Sequence, residues 1–130
     1  MFFKFKKTEN TGKKGEERAI YFLKKKGFKI VEKNYRKPWG EIDIVAKKNG
    51  TTHIIEVKSF TEKEGIKDKN DFDEPADRLT KEKIRRILRI SKTYLEEKGR
   101  WEGDWQIDIL FISFFPDGSE KIDFLENPVF

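Results

Sequence analysis

The stretch that decides the fold spans residues 41–60 and has the sequence EIDIVAKKNGTTHIIEVKSF. It contains two runs rich in β-branched residues, and Asn49-Gly50 lies between them. Asn-Gly between two such runs is a strong short-range signal for a β-hairpin, because both residues accept the positive φ angles of a type I′ turn. The sequence therefore predicts two antiparallel strands joined by a two-residue turn.

The predicted hairpin fixes which side chains face each other. With Asn49-Gly50 as the turn, Asp43 lies directly opposite Glu56, and Glu41 lies opposite Lys58. Side chains alternate between the two faces of a strand, so these four charged residues project from one face. The other face is apolar and carries Ile42, Ile44, Ile55 and Val57. We therefore expect one face to be core and the other to hold a charged cluster.

Asp43 opposite Glu56 is an unfavourable pair, because Cβ atoms that face each other in a hairpin lie about 4.5–5.5 Å apart and like charges repel at that distance. A hard divalent cation such as Mg²⁺, which takes oxygen ligands, would offset the repulsion. Lys58 would then lie where an ammonium stabilises phosphate charge or orients water. The alternative is an ordinary solvent-exposed charged face. It explains Glu41 beside Lys58 but explains Asp43 beside Glu56 poorly.

Composition narrows the chemistry. A chain of 130 residues suits one domain, 1–130, since domains typically run about 100–150 residues. It has no Cys and one His, which argues against disulfide scaffolds, thiolate metal sites and His-dependent hydrolases. A net charge of +5 favours a polyanionic partner such as nucleic acid. The sequence has no apolar run typical of a signal peptide or membrane span, so we expect a cytoplasmic protein with no membrane partner.

Two helices are predicted outside the hairpin. The first covers residues 11–26, with Glu16 on its buried stripe and with residues 1–11 flexible in front of it. Residues 61–75 are mostly charged and predict a mobile loop. The second helix is expected over residues 75–98, with a proline in its first turn and a glycine directly after its end.

Further strands are predicted around Phe28 and Ile30, over 106–112 and over 121–125, with a turn or an irregular crossing over 34–40. The order is helix, three strands, helix, two strands. A helix between the hairpin and the later strands can act as a crossover to a parallel neighbour. The pattern therefore predicts an α/β fold with a mixed central sheet of about five strands flanked by helices.

Basic residues follow the second predicted helix and either bind phosphates or form a solvated helix face. The candidate nucleic-acid-binding residues, including one from the predicted crossing, are Arg36, Lys81, Lys83, Arg85, Arg86 and Arg89. The three tryptophans, Trp39, Trp101 and Trp105, are expected to pack in the core or at its rim rather than to stack on bases. His53 is predicted to be structural or exposed rather than a ligand.

Asp43, followed after twelve residues by Glu56-Val57-Lys58, resembles the PD-(D/E)XK signature of restriction-endonuclease-like nucleases. Further segments occur in the order of the YraN-like family, a small and largely uncharacterised family similar to archaeal Holliday-junction resolvases. These segments are Gly15-Glu16 with Ala19, Asn34-Tyr35-Arg36, Gly40 to Ala46, Ile55 to Lys58, Lys83 to Ile87 and Ile107-Asp108-Ile109. The resemblance runs from about Gly12 to Phe130, and the block from Gly40 to Lys58 is its most specific part.

The resemblance implies a restriction-endonuclease-like fold with a metal-dependent nuclease site. In it, Asp43 and Glu56 bind Mg²⁺ or Mn²⁺, Lys58 is the catalytic lysine, and Glu16 approaches the metal from the first helix. Glu41 is an accessory candidate beside them. The implied activity is hydrolysis of phosphodiester bonds in DNA, including branched or structured DNA. Resolvases of this kind act as dimers, so a homodimer stays open.

Two positions depart from the family pattern: Phe60 and Gln106 stand where the family usually has basic residues. Both departures bear on phosphate contacts and leave the candidate ligands intact. The alternative function is a nucleic-acid binding module that keeps the fold but does not hydrolyse its ligand. A protein-interaction scaffold would leave the acidic cluster unexplained, and a pure binder has no need for a repulsive carboxylate pair.

Overall fold

Five strands and two helices make up the residues that the computed structural model describes, which are 2–62, 80–99 and 103–128. In chain order they are α1 (Phe2–Lys25), β1 (Lys29–Lys37), β2 (Gly40–Lys48), β3 (Thr51–Thr61), α2 (Lys81–Lys98), β4 (Trp105–Phe114) and β5 (Glu120–Glu126). Within these residues, neither helix is long and apolar enough to cross a membrane.

The strands form one sheet in the order β1-β2-β3-β4-β5. Neighbouring strands are antiparallel except β3 and β4, which are parallel. The chain passes through α2 between these two strands, as parallel neighbours require a crossover connection. The predicted α/β fold, a mixed sheet of about five strands with flanking helices, is confirmed.

The β2–β3 hairpin has the predicted turn. Asn49 and Gly50 have φ angles of 50° and 80°, the positive values of a type I′ turn. Lys48 pairs with Thr51, and the ladder continues in the predicted register as far as Ile44 and Ile55.

The apolar core lies on both faces of the sheet, so the expectation of one core face and one charged face is wrong. One cluster packs beneath α2 and includes Val45, Ile54, Ile87, Ile90, Tyr94 and Ile109. The other packs beneath α1 and includes Ala19, Leu23, Ile44, Ile55, Leu110 and Ile112. Each helix covers one face, and the charged residues of the hairpin, Glu41, Asp43, Glu56 and Lys58, line a cleft beside α2.

The first residue of each helix differs from the sequence prediction. α1 begins at Phe2 rather than near residue 11, and the flexibility expected for residues 1–11 stays a prediction. α2 begins at Lys81 rather than in the segment around residue 75, because the Thr80 hydroxyl accepts a hydrogen bond from the Lys83 amide at 3.2 Å and caps the helix. Its end is as predicted, with Gly99 in the left-handed region at φ 61°.

Two connections also differ from the prediction. The turn predicted within residues 34–40 is present but short: β1 continues to Lys37, the turn is confined to Pro38 and Trp39, and Asn34 is a left-handed strand residue at φ 53°. β3 continues to Thr61, and residues 63–75 of the predicted mobile loop lie outside the described part of the chain.

Candidate active site

A cleft of about 390 Å³ opens between α2, the β1–β2 turn and the charged end of β2 and β3. Its volume is in the range of small-ligand sites, about 300–1,000 Å³. The wall contains acidic, basic and apolar side chains, namely Arg36, Lys37, Trp39, Gly40, Glu41, Asp43, Glu56, Lys58, Lys83, Arg86, Ile87 and Ile90. Two candidate ligands and the candidate lysine of the sequence motif, Asp43, Glu56 and Lys58, therefore share one cavity.

Asp43 lies where β2 and β3 separate. The ladder stops at Ile44 and Ile55, and beyond it the Val57 amide donates a hydrogen bond to Asp43 Oδ2 at 2.8 Å. Alternation along β2 also breaks here, since Ile42 belongs to the cluster beneath α2 and Ile44 to the cluster beneath α1. Ile44, Ile55 and Val57 therefore lie on one face as predicted, whereas the prediction is wrong for Ile42, because the strand is irregular at Asp43.

The charged partners of the hairpin also differ from the prediction. Glu41 does not face Lys58; it pairs with Arg36 on β1, whose Nε donates to Glu41 Oε2 at 2.9 Å. Lys58 Nζ instead lies 3.1 Å from Glu56 Oε1 on its own strand. Because the β2–β3 ladder ends before Glu41, the neighbouring β1 strand supplies its partner.

Three carboxylates from two elements meet at this end of the sheet. Glu16 from α1 and Glu41 and Asp43 from β2 each offer an oxygen, and these atoms lie within 4.8 Å of one another. Glu56 is the fourth acid of the site, and its charge acts directly on Asp43. The group within reach of one ion therefore contains Glu41, the accessory candidate, in place of Glu56, which lines the cleft beside Asp43.

Burial and mutual repulsion raise the pKa of Asp43 to about 8. Burial is the largest cause and the charge of Glu56 the second, while the hydrogen bond from Val57 acts in the opposite direction. The pKa of Glu16 is also raised, first by burial and then by the charge of Glu41, against the opposing effect of Arg36. Neutral pH thus leaves a proton in this cluster when nothing else neutralises it.

Gly15 allows α1 to approach the sheet next to Glu16. A Cβ atom at position 15 would overlap the Ser59 hydroxyl and come within 2.8 Å of Ser59 Cβ. Glycine is therefore required for the contact between α1 and β3 that carries Glu16 to the acidic cluster. The sequence contains this glycine directly before the predicted ligand, but only the packing of the helix reveals its purpose.

The candidate cations separate into two groups. Arg36, Lys83 and Arg86 line the cleft together with the acids. Lys81, Arg85 and Arg89 do not line it, and all three are exposed on α2. The role of each in nucleic-acid binding stays a prediction.

Trp39 lies at the rim of the cleft, in the turn between β1 and β2. It is 36% exposed, and the Arg89 guanidinium carbon lies 4.0 Å from the centroid of its ring. Trp105 is half-buried against the cluster beneath α2, and Trp101 lies outside the described residues.

The remaining polar residues named from the sequence have structural partners. His53 is buried, with Nδ1 2.6 Å from Asp108 Oδ2, in agreement with a structural histidine. Gln106 donates to the other Asp108 oxygen at 2.8 Å. Phe60 stacks on Phe111 with ring centroids 6.4 Å apart. Gln106 and Phe60 therefore make contacts with residues of β4.

The sequence of the chain matches a known protein family. The model of the uncharacterised protein family UPF0102 matches residues 15–112. A UPF0102 protein of Campylobacter jejuni strain 81-176 is 40% identical over 113 residues, which cover 87% of this chain and 88% of the relative. A UPF0102 protein of Helicobacter pylori strain P12 is 36% identical over 130 residues, the full length of both chains. The chain belongs to the UPF0102 family, the YraN-like family that its motifs resemble.

Proposed function

We propose that this protein is a metal-dependent nuclease that hydrolyses phosphodiester bonds in DNA. The observation that carries the proposal is the half-buried carboxylate of Asp43, which has carboxylate oxygens of Glu16 and Glu41 within 4.8 Å and also feels the charge of Glu56. Such a cluster is unfavourable in itself, because each acid raises the free energy of ionising its neighbours. A divalent cation would remove that repulsion.

The donor set fits a hard cation. All candidate ligand atoms are carboxylate oxygens, which suit Mg²⁺ and Mn²⁺, and the chain contains no Cys. Glu16, Glu41 and Asp43, whose oxygens lie within 4.8 Å of one another, would hold the ion, with Glu56 as an additional acid beside Asp43. When bound, the ion would supply a Lewis acid for a phosphate oxygen and lower the pKa of water.

Lys58 provides a positive charge that cannot ligate the ion. Its Nζ lies 3.1 Å from Glu56 Oε1, and its side chain is 32% exposed within the cleft. In this position the ammonium would orient a water molecule or stabilise the charge that develops on the phosphate. The acid that holds it in place is also a candidate ligand, so the lysine and the ion would be positioned together.

The cations of the cleft support a polyanionic substrate. Arg36, Lys83 and Arg86 line the same cavity as the acids, so a phosphodiester that enters it would meet positive charge on the side of α2 and β1. Arg36 also holds Glu41 by the hydrogen bond at 2.9 Å. The proposal thus assigns phosphate binding and metal binding to neighbouring groups of one cleft.

A cleavage assay tests the proposal. Labelled linear, gapped and four-way-junction DNAs are incubated with the wild type and with Asp43→Ala in Mg²⁺ or Mn²⁺, and binding to the same DNAs is titrated in Ca²⁺. We expect the wild type to cut at least one DNA and Asp43→Ala to cut none. If the wild type binds tightly but cuts nothing, the protein is a nucleic-acid binding module instead.

Asp123→Ala is the matched control for loss of an acid. Asp123 lies on β5, outside the cleft, and pairs with Lys121 at 3.8 Å. Its replacement should leave cleavage unchanged, which separates a defect of the site from a general loss of negative charge.

A further inference from the structure

One wall of the cleft is aromatic and apolar. Trp39 lines the cleft beside Ile87 and Ile90, both of which are buried. Among the described residues, Trp39 and Tyr21 are the large hydrophobic side chains that remain exposed, at 36% and 50%. Only Trp39 of these two borders the acids of the proposed site.

Arg89 holds the Trp39 ring from outside the cleft. Its guanidinium carbon lies 4.0 Å from the ring centroid, within the range of a cation–π contact. Arg89 is exposed and does not line the cleft, so the indole rather than the guanidinium is the group that an occupant would meet. The guanidinium thus covers one face of the ring, which remains 36% exposed at the rim of the cleft.

Phosphate binding gives no reason for such a wall. A phosphodiester is recognised by cations and by a metal ion, whereas a flat apolar surface matches the face of a nucleobase. In a continuous duplex, both faces of each base are covered by its neighbours. A base can therefore stack on Trp39 only where the DNA is unpaired or its stacking is interrupted.

We propose that Trp39 stacks on an unpaired base beside the phosphate that is cut, so that the preferred substrate is DNA with unpaired nucleotides at that point. The inference rests on the proposed nuclease function, because it assigns the aromatic wall to the same substrate as the acids. Arg89 is a positioning residue that keeps the ring at the rim.

Two DNAs of equal length test the proposal: a continuous duplex and the same duplex with a short stretch of unpaired nucleotides. Binding is titrated in Ca²⁺ with the wild type, Trp39→Leu and Trp39→Tyr. We expect Trp39→Leu to weaken binding to the unpaired DNA about tenfold, within the range measured for base–aromatic stacking, and to change duplex binding less than twofold. Trp39→Tyr keeps an aromatic face and should retain most of the preference for the unpaired DNA over the duplex.

Tyr21→Leu is the matched control. Tyr21 is exposed and has Arg18 over its ring at 5.1 Å, yet it lies on α1 and does not line the cleft. The Tyr21→Leu variant should therefore bind both DNAs with the affinity of the wild type. Arg89→Lys is a second test that keeps the charge and removes the planar contact; we expect it to reduce the preference for unpaired DNA.

Equal weakening of both DNAs by Trp39→Leu, or a wild type without preference, would overturn the stacking proposal. Cleavage in Mn²⁺ is measured separately. A wild type that prefers unpaired DNA through Trp39 but cuts neither DNA overturns the nuclease and retains the stacking site. A wild type that cuts both DNAs equally, with no effect of Trp39→Leu, overturns the stacking site and retains the nuclease.

Discussion

The Val57 amide donates a hydrogen bond to Asp43 Oδ2 at 2.8 Å, at the point where the ladder between β2 and β3 ends. The Asp43 carboxylate thus accepts the hydrogen bond that a backbone carbonyl of β2 would accept if the ladder continued, and it lies where the two strands stop pairing. Its pKa is raised to about 8 by burial and by the charge of Glu56, although the hydrogen bond from Val57 favours the ionised form. An acid held in this way keeps its proton at neutral pH.

Asp43→Asn should make the metal-free protein more stable than the wild type at alkaline pH. The folded state of the wild type binds the Asp43 proton more tightly than the unfolded chain, so this group's stabilising contribution is present below about pH 4 and is lost as pH rises towards 8. Asparagine keeps an acceptor for Val57 without the ionisation. Thermal melts in EDTA between about pH 5 and pH 9 measure the difference. A constant gap between the two proteins across this range would contradict the raised pKa.

Mn²⁺ should stabilise the wild type more at pH 8 than at pH 6, because the ion binds the deprotonated carboxylates and displaces the proton on Asp43. At 100 times its dissociation constant, a ligand of the folded state adds about 2.7 kcal/mol to the free energy of unfolding. Melting temperatures with and without Mn²⁺ test this. Glu16→Gln should reduce the shift, and an identical shift in Asp43→Asn would place the ion elsewhere.

Gly15→Ala should weaken Mn²⁺ binding by moving α1 and Glu16 away from the acids, since a Cβ there overlaps Ser59. Gly12→Ala is the control on the same helix, because a Cβ at position 12 meets nothing within 4 Å. Alanine in place of a helical glycine stabilises by roughly 0.5–1 kcal/mol by itself, and this control measures that gain. The double variant Gly15→Ala/Ser59→Gly removes the side chain that the new Cβ meets and should regain the Mn²⁺ affinity of the wild type. If it does not, the helix is positioned by other contacts.

Lys58→Ala should reduce cleavage about 10²- to 10³-fold, the loss typical of one preorganised donor, and leave binding in Ca²⁺ nearly unchanged. Single-turnover cleavage in Mn²⁺ and a binding titration provide the two readouts. Lys121→Ala is the matched control, because Lys121 also lies on a strand and pairs with an acid two residues away, Asp123, at 3.8 Å. Equal effects of both substitutions would show that Lys58 has no special part in the reaction.

Replacing Lys83 and Arg86 together should make DNA binding less dependent on salt. Both line the cleft, and each phosphate contact contributes about 0.9 to the slope of log affinity against log salt, so the slope should fall by about 2. Lys81 and Arg85 form the matched pair, since they are exposed on the same helix but do not line the cleft. An unchanged slope in the first double variant, or a larger change in the second, would move the phosphate path out of the cleft.

Local sequence patterns were sufficient for most of the fold. Asn49-Gly50 and its flanking strands predict the turn and its register up to Ile44 and Ile55, because hairpin geometry depends on neighbouring residues. The order of helices and strands predicts the mixed sheet. The helix start at Lys81 was missed, because the cap depends on the conformation of the Thr80 side chain rather than on hydrophobic spacing.

The sequence by itself determined that Asp43, Glu56 and Lys58 lie at the same end of one hairpin, because the turn and the register up to Ile44 and Ile55 set which ends of the two strands are neighbours. Tertiary structure alone decided the rest of the site. The close contact between Gly15 and Ser59 brings Glu16 to Asp43, and the packing of α2 on the sheet decides which basic residues line the cleft. These contacts join residues far apart in the chain, so they follow from how helices pack on a sheet and not from the period of any one segment.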